Sequence, residues 1–332
     1  MKRVLVTGGA GFIGSHLVDR LVGEGNAVTV LDDLSSGARE NLTDALRDGD
    51  VRLMVGSILD PATVGAAMEG CDVVFHLAVK CVRSSIGKPL ENHHINATGT
   101  LLLLEEARRR RISRFVYCSS SEIYGNSGAG RLTEETLPQP VTVYGAGKLA
   151  GEHYTKAYFQ TYGLPAVVVR PFNTYGPREH ERGMSAEVIP RFIGRVLNGL
   201  PPVIFGSGNA GRDFTYVTET VTGLALAAHC DALIGNVVNI AYGRMITVAE
   251  IAQAVAVQCG RPELKPMHIG ARPGDVQTLR ADTTLAKNAL GFSAQIAFEE
   301  GLTRYIEWFR PRHPDVSELL ETDVRNWSAP AD

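Results

Sequence analysis

The chain lacks the cysteine pattern of a disulfide or zinc framework. Its five cysteines, at 71, 81, 118, 230 and 259, are odd in number, scattered and without a CxxC pair, which reads as free thiols in a reducing compartment. A long apolar run is also missing. The first apolar stretch, Val4 to Val6, runs straight into glycines, so no signal peptide is expected. Nothing later approaches the roughly 20 apolar residues that span a bilayer. Nor is there an excess of one charge: a formal net charge of −3 gives no pull toward nucleic acid or an anionic membrane. The one basic run, Arg108 to Arg111, ends a helical stretch, where cations suit the helix dipole. Internal repeats, low-complexity tracts and long linkers are absent. A cytoplasmic, soluble protein is expected, and 332 residues suffice for one large α/β unit with an appended lobe.

Short β-branched runs alternate with helical patterns, the signature of βα units on a parallel sheet. The runs are Arg3–Val6, Ala27–Leu31, Val51–Val55, Asp72–His76, Arg114–Cys118, Ala166–Arg170 and Val237–Ile240. Helices are expected near 12–24, 61–69, 93–111, 143–162, 217–230 and 247–259. The fold class is therefore α/β, a doubly wound parallel (Rossmann) sheet of about seven strands with a smaller mixed α/β substrate lobe. The domain expected over 1–172 rejoins near 213–244, residues 173–212 and 245–320 form the lobe, and 321–332 form a flexible tail.

The most informative stretch is Val6-Thr7-Gly8-Gly9-Ala10-Gly11-Phe12-Ile13-Gly14-Ser15-His16, where a strand turns directly into a helix. Gly8 takes the tight turn, Gly11 lets a diphosphate approach the backbone, and Gly14 lets the helix sit close to the strands. The helix N-terminus then offers unpaired N–H groups and a positive dipole end to phosphate. The second run ends in Asp32-Asp33, at the distance expected for a carboxylate that binds the adenosine ribose. No Arg or Lys follows until Arg39, which favours NAD over NADP.

Further polar clusters follow later strands: Leu77–Arg83, Ser119–Glu122 and Pro171–Thr174. Open parallel sheets bind ligands at the carboxyl ends of their strands, so these clusters converge on one rim. Tyr144 and Lys148 lie four apart at a helix start and share one face. A phenol is a poor base at its ordinary pKa of about 10, but a nearby ammonium and a cationic nicotinamide would favour its phenolate. His93-His94 has no carboxylate or Cys partner at ligand spacing, so no metal is expected, and His76 reads as a packed core residue.

The set Thr7–Gly14, Asp32, His76-Leu77-Ala78, Asn96, Ser119-Ser120-Ser121-Glu122-Ile123-Tyr124-Gly125, Tyr144 with Lys148, and Arg170-Pro171-Phe172-Asn173 resembles the extended short-chain dehydrogenase/reductase family. The resemblance covers about residues 1–310, and within the family it points to nucleotide-sugar epimerases, dehydratases and decarboxylases. Two positions depart from the pattern: Gly147, where many members carry Ser, and Ser57, where many carry Asp near the adenine. The resemblance implies that Ser120 bridges the substrate 4-hydroxyl and the Tyr144 phenol. Tyr144 then takes the proton while C4 passes hydride to NAD, with Glu122 a further candidate. It implies cofactor contacts from Gly8, Gly11, Phe12, Ile13, Gly14, Asp32, Asp33, Ser36, Gly37, Ser57, Ile58, Leu77, Ala78, Val79, Asn96, Ser119, Tyr144, Lys148 and Pro171. Lys80 is either a phosphate contact or a surface lysine. Substrate contacts implied are Arg83, Ser120, Ser121, Tyr144, Asn173, Thr174, Val188, Arg191, Arg212, Arg272 and Asp275. Paired guanidinium groups suit a diphosphate and a carboxylate suits a ribose diol; uracil and thymine stay unseparated, with UDP the commoner carrier.

Dehydratases of the family expel the C6 hydroxyl with an Asp-Glu pair, and the Asp position is Ser121, a very weak proton donor. Ser121-Glu122 resembles UDP-glucuronate decarboxylases, whereas Tyr144–Glu152 and Val82–Ser85 resemble 4-epimerases. A UDP-sugar 4-epimerase is expected, with UDP-glucuronate as leading substrate, then UDP-glucose/galactose or N-acetyl sugars. Its rivals are a decarboxylase, a 4,6-dehydratase and, from another class, a non-catalytic NAD-binding sensor. Relatives dimerise through two helices per subunit. By resemblance a homodimer is expected, through the stripes Ile95, Leu102, Leu103 and Ala150, Tyr154, Ala157.

Overall fold

The computed structural model describes residues 1–128, 130–320, 324, 325 and 327. Seven parallel strands build the main sheet: β1 (Arg3–Thr7), β2 (Ala27–Asp32), β3 (Val51–Val55), β4 (Val73–His76), β5 (Arg114–Cys118), β6 (Ala166–Pro171) and a seventh, Val237–Ile240. Their spatial order is β3-β2-β1-β4-β5-β6, with Val237–Ile240 beside β6. Successive side chains along a strand point to opposite faces, and both faces here are covered by helices. Val4 and Val6 of β1 join one core with Leu17, Val18 and Leu21 of the Phe12–Gly23 helix and with Val221 and Leu224 of the Val217–His229 helix. Leu5 joins the other, with Val64, Leu103, Leu104 and Ala107 from the Pro61–Met68 and Gly99–Arg110 helices. Strand order reverses between β1 and β4, where Thr7 stands opposite both Leu31 and His76, and a crevice opens there.

The lobe has its own core, built by Ile189, Phe192 and Ile193 of the Val188–Leu197 helix, Ile251 and Val255, and Leu302, Tyr305 and Phe309. Its strand Gly211–Tyr216 pairs with Asn173–Tyr175, Met245–Thr247 and Thr278–Leu279. Two boundaries differ from the sequence expectation. Gly211–Tyr216 belongs to the lobe sheet, so the chain rejoins the main domain only with the Val217–His229 helix. Residues 284–292, expected in the lobe, return to the main core through Ala286 and Phe292.

The helix expected over 93–111 is three pieces: Pro89–His93, a π-helical stretch His94–Thr98, and Gly99–Arg110. The widened turn brings Asn92 and Asn96 together to clamp the chain after β4. Leu103, assigned to a dimer stripe, is wholly buried in this protomer's own core and is unavailable to a partner. Of the expected 321–332 tail, only Val324, Arg325 and Trp327 fall within the described residues. No helix among the described residues is long and apolar enough to cross a membrane.

Candidate active site

A cavity of about 410 Å³ runs along the carboxyl ends of β1, β2, β4, β5 and β6 and into the lobe. Every residue expected from sequence to touch cofactor or substrate lines it, except Asn96. Asn96 is buried and clamps a backbone turn instead. Its amide oxygen accepts from Lys80 N at 3.0 Å, and its amide nitrogen donates to Lys80 O at 3.0 Å and to Asn92 at 2.9 Å. It shapes the loop that lines the cavity without reaching the cavity.

The glycine loop is built for a large anion. Gly8 sits at φ +71°, and a Cβ there would lie 2.6 Å from Ala78 N; a Cβ on Gly14 would lie 2.1 Å from Gly8 O. The Phe12–Gly23 helix starts at Gly11 with no side-chain cap, leaving its first N–H groups to face the cavity. At the end of β2, Asp32 is buried and accepts from Ala10 N and Leu34 N, both at 2.9 Å. These bonds fix its carboxylate at the rim, although burial raises its pKa overall. Asp33 binds Ser35 N and Oγ, and Lys80 Nζ reaches the same Ser35 hydroxyl at 2.9 Å, spanning the cavity mouth. Cradle, open helix end and rim carboxylate together fit a dinucleotide.

Tyr144 and Lys148 rise from the first turns of the Val143–Tyr162 helix, which Thr142 caps through Gly145 N at 3.0 Å. Close packing seats this helix: a Cβ on Gly151 would lie 2.3 Å from the Tyr117 hydroxyl, and one on Gly147 would lie 3.2 Å from Asn96 Cβ. Glycine at 147, where the resemblance leads one to expect Ser, thus lets the π-helical stretch approach. The Ser120 hydroxyl faces the Tyr144 phenol, which it favours in the charged form, and accepts from Glu122 N at 3.2 Å.

The electrostatics of the protein alone show what the expected ammonium and nicotinamide would have to overcome. Burial pushes the Tyr144 phenol above its ordinary pKa, against the Ser120 hydrogen bond. Lys148 Nζ donates to the Cys118 carbonyl at 2.8 Å, and burial lowers its pKa to about 8. Burial thus favours the neutral phenol in the protein by itself, and added positive charge beside it would favour the phenolate. Glu122, on the same wall, is also raised by burial, with Arg212 and Arg272 opposing. His76 is a core residue, its ring bonded to Thr7 and Thr100 at 2.8 and 2.9 Å.

Sequence reasoning missed what locks this wall. Glu152, one turn beyond Lys148, accepts from Arg170 Nε and Nη2 at 2.9 and 2.7 Å and from Ser119 Oγ at 2.5 Å. Arg170 also donates to the Tyr124 hydroxyl at 2.9 Å. Burial works against the Arg170 charge, but the bonds to Glu152 outweigh it and raise its pKa. The run Lys148…Glu152 at i,i+4 was the available signal.

On the lobe side, Asp275 Oδ1 accepts from both Arg212 and Arg272, at 3.2 and 2.7 Å. The carboxylate assigned to a ribose thus also gathers the two guanidinium groups. Arg83, expected as a substrate contact, lines the cavity but is engaged by Glu187 at 2.7 and 3.2 Å and by the Ser185 carbonyl at 2.8 Å. It ties the 183–187 segment to the main domain. The Thr174 hydroxyl is held by Thr220 and the Phe172 carbonyl at 3.0 and 3.3 Å. His180, Glu187 and Phe205 also line the cavity, and no spacing in the sequence marked them.

Residues 4–241 match the model of the NAD dependent epimerase/dehydratase family. The chain is 37% identical over 311 residues to a UDP-glucose 4-epimerase of Mycolicibacterium smegmatis, covering 93% of this chain and 98% of that protein. It is 35% identical over 316 residues to a dTDP-glucose 4,6-dehydratase of Streptomyces niveus, covering 93% of each. Among solved structures it superposes on a UDP-glucuronic acid 4-epimerase of Bacillus cereus, in complex with NAD and a fluorinated substrate analogue. That match has a TM-score of 0.87 and 28% identity, over 96% of this chain and all of that one.

Proposed function

The chain belongs to the NAD-dependent epimerase/dehydratase family, and from that premise we propose that it is a UDP-sugar 4-epimerase interconverting UDP-glucuronate and UDP-galacturonate. One observation carries the reading: Ser120, Tyr144 and Lys148 share a single cavity with Arg212 and Arg272. One ligand can therefore present a sugar carbinol to the first group and a diphosphate to the second. The glycine loop and Asp32 would hold NAD, which when bound would supply positive charge to the site and accept and return the hydride of the sugar C4. Tyr144 takes the C4 hydroxyl proton along its hydrogen bond with Ser120 and later returns it. Arg212 and Arg272, gathered by Asp275, retain the diphosphate while the 4-keto ring turns its other face.

Ser121 separates the neighbouring chemistries. Its hydroxyl is too weak an acid to expel a C6 leaving group as a dehydratase must. It can instead hold a C6 carboxylate so that its C–C bond lies out of line with the C4 carbonyl π system, against loss of CO₂. Burial draws Glu122 toward its neutral form, which lessens its repulsion of that carboxylate. The second reading, decarboxylation, is favoured by the Ser121-Glu122 pair itself. Incubation with UDP-glucuronate, followed by NMR, separates them. Inversion at C4 with C6 retained is the expected result, and a UDP-pentose with released CO₂ identifies a decarboxylase. Turnover of UDP-glucose alone moves the substrate to a neutral hexose; no turnover of any UDP-sugar overturns the reading. We also infer a homodimer through the exposed Ala157 and the half-buried Ile95, Leu102, Ala150 and Tyr154; a monomeric mass in light scattering would refute it.

A further inference from the structure

After the Phe298–Phe309 helix the chain turns back along the Val188–Leu197 helix, toward the cavity. His313 bonds Glu181 at 3.0 Å, Asn198 Nδ2 donates to the Val316 carbonyl at 2.7 Å, and Leu319 lies over Gly194. Further on, Arg191 Nη2 donates to the Val324 carbonyl. Trp327 meets Phe205 edge-on, with ring centroids 4.6 Å apart at 77°. Positions 198, 194 and 191 follow one face of the helix, so Val316, Leu319 and Val324 meet a single stripe that leads to the cavity wall.

Arg191 and Phe205, where this segment ends, both line the cavity, and the Arg191 guanidinium lies 5.9 Å over the Phe205 ring. Phe205 also lines a second hollow of about 450 Å³, bounded by Asn126, Gly206 and Arg272. The Phe205 ring therefore stands, with Ala210, Arg272 and Asp275, in the wall between the two spaces, and its orientation shapes that wall. An edge-to-face partner fixes that orientation, and a backbone acceptor fixes the guanidinium.

We propose that residues 313–320, with Val324 and Trp327, form a strap over the nucleoside end of the cleft, in which Trp327, acting through Phe205 and Arg191, is a positioning residue for the nucleoside diphosphate half of the substrate. The inference deepens the proposed function and rests on it. A flat pyrimidine with a polar edge needs an apolar ring and a cation held in register. Prior ordering of both spares the ligand the entropy of ordering them. Leu319 belongs to the lobe core, whereas Trp327 is outside that core, so loss of the Trp327 ring should be read in nucleotide affinity.

The chain has two tryptophans, 308 and 327, so Trp308→Phe leaves Trp327 as the only indole reporter. In that full-length variant, UDP should change the emission saturably, with the dissociation constant found by calorimetry on the wild-type protein. Trp327→Ala should weaken UDP binding about three- to tenfold and raise the UDP-sugar KM in step, more than it lowers kcat. NAD affinity and melting temperature should hold, and Trp327→Phe should restore most of the loss. UDP binding by Trp327→Ala equal to wild type would overturn the strap, as would equal losses of NAD and UDP affinity with a lowered melting temperature. If the wild-type protein binds no UDP, the proposed function falls and the strap with it; if it binds UDP and only the Trp327 result fails, the function stands.

Discussion

Replacing Glu152 with alanine removes the carboxylate paired with the Arg170 guanidinium, and both side chains are nearly inaccessible, at 2% and 3%. Three hydrogen bonds go at once: two from Arg170 and one from Ser119. A buried cation stripped of its partner typically costs about 3–5 kcal/mol, since the bonds Arg170 keeps to Tyr124 and the Glu134 carbonyl carry no compensating charge. For 332 residues the unfolding entropy is about 0.7 kcal/mol per kelvin near 60 °C, so the melting midpoint should fall by roughly 4–7 °C. Replacing both partners, Glu152→Met with Arg170→Met, should cost less than Glu152→Ala alone, because no buried charge is left unpaired. Urea denaturation at pH 7 reads the free energies, and a constant slope confirms that the denatured state has not changed. The reasoning is refuted if Glu152→Ala loses under about 1.5 kcal/mol, or if the double replacement is the more damaging of the two. Activity should fall as well, because Glu152 is on the helix that carries Tyr144 and Lys148 and ties it to the ends of β5 and β6.

Other outcomes follow from the same geometry. Tyr144→Phe should lower kcat by about 10²- to 10⁴-fold with UDP affinity kept, measured by turnover and calorimetry; an active variant would remove the phenol from the chemistry. Lys148, at a folded pKa of about 8 against an unfolded value near 10.4, binds fewer protons folded than unfolded between those values. Stability should therefore rise with pH across that window, by roughly 3 kcal/mol in total, and Lys148→Met should abolish the slope in a series of denaturation curves. Gly14→Ala puts a methyl 2.1 Å from the Gly8 carbonyl and must push the helix off the sheet. It should cost about 1–3 kcal/mol and abolish NAD binding in equilibrium dialysis, and unchanged binding would refute the close-packing role.

The sequence by itself determined the sheet, because a strand buried on both faces must be apolar throughout and helices between strands must repeat at 3.6 residues. Those two constraints act locally, and β1, β2, β4, β5 and β6 ended within a residue or two of where their runs end. Gly8, Gly14, Asp32, Tyr144 and Lys148 were legible for a related reason: a tight turn, a close helix approach or a shared helix face fixes residue type over a few positions. Which side chains are satisfied by partners distant in the chain was settled by tertiary structure alone. Arg83 is engaged by Glu187, 104 positions away, and Asn96 by the Lys80 backbone, 16 away, and only the fold shows that this leaves Arg83 on the cavity wall and Asn96 behind it. The state of the Tyr144 phenol belongs to the same class. Its pKa is governed by burial, which is summed over everything packed around it, and no short stretch of sequence records that sum.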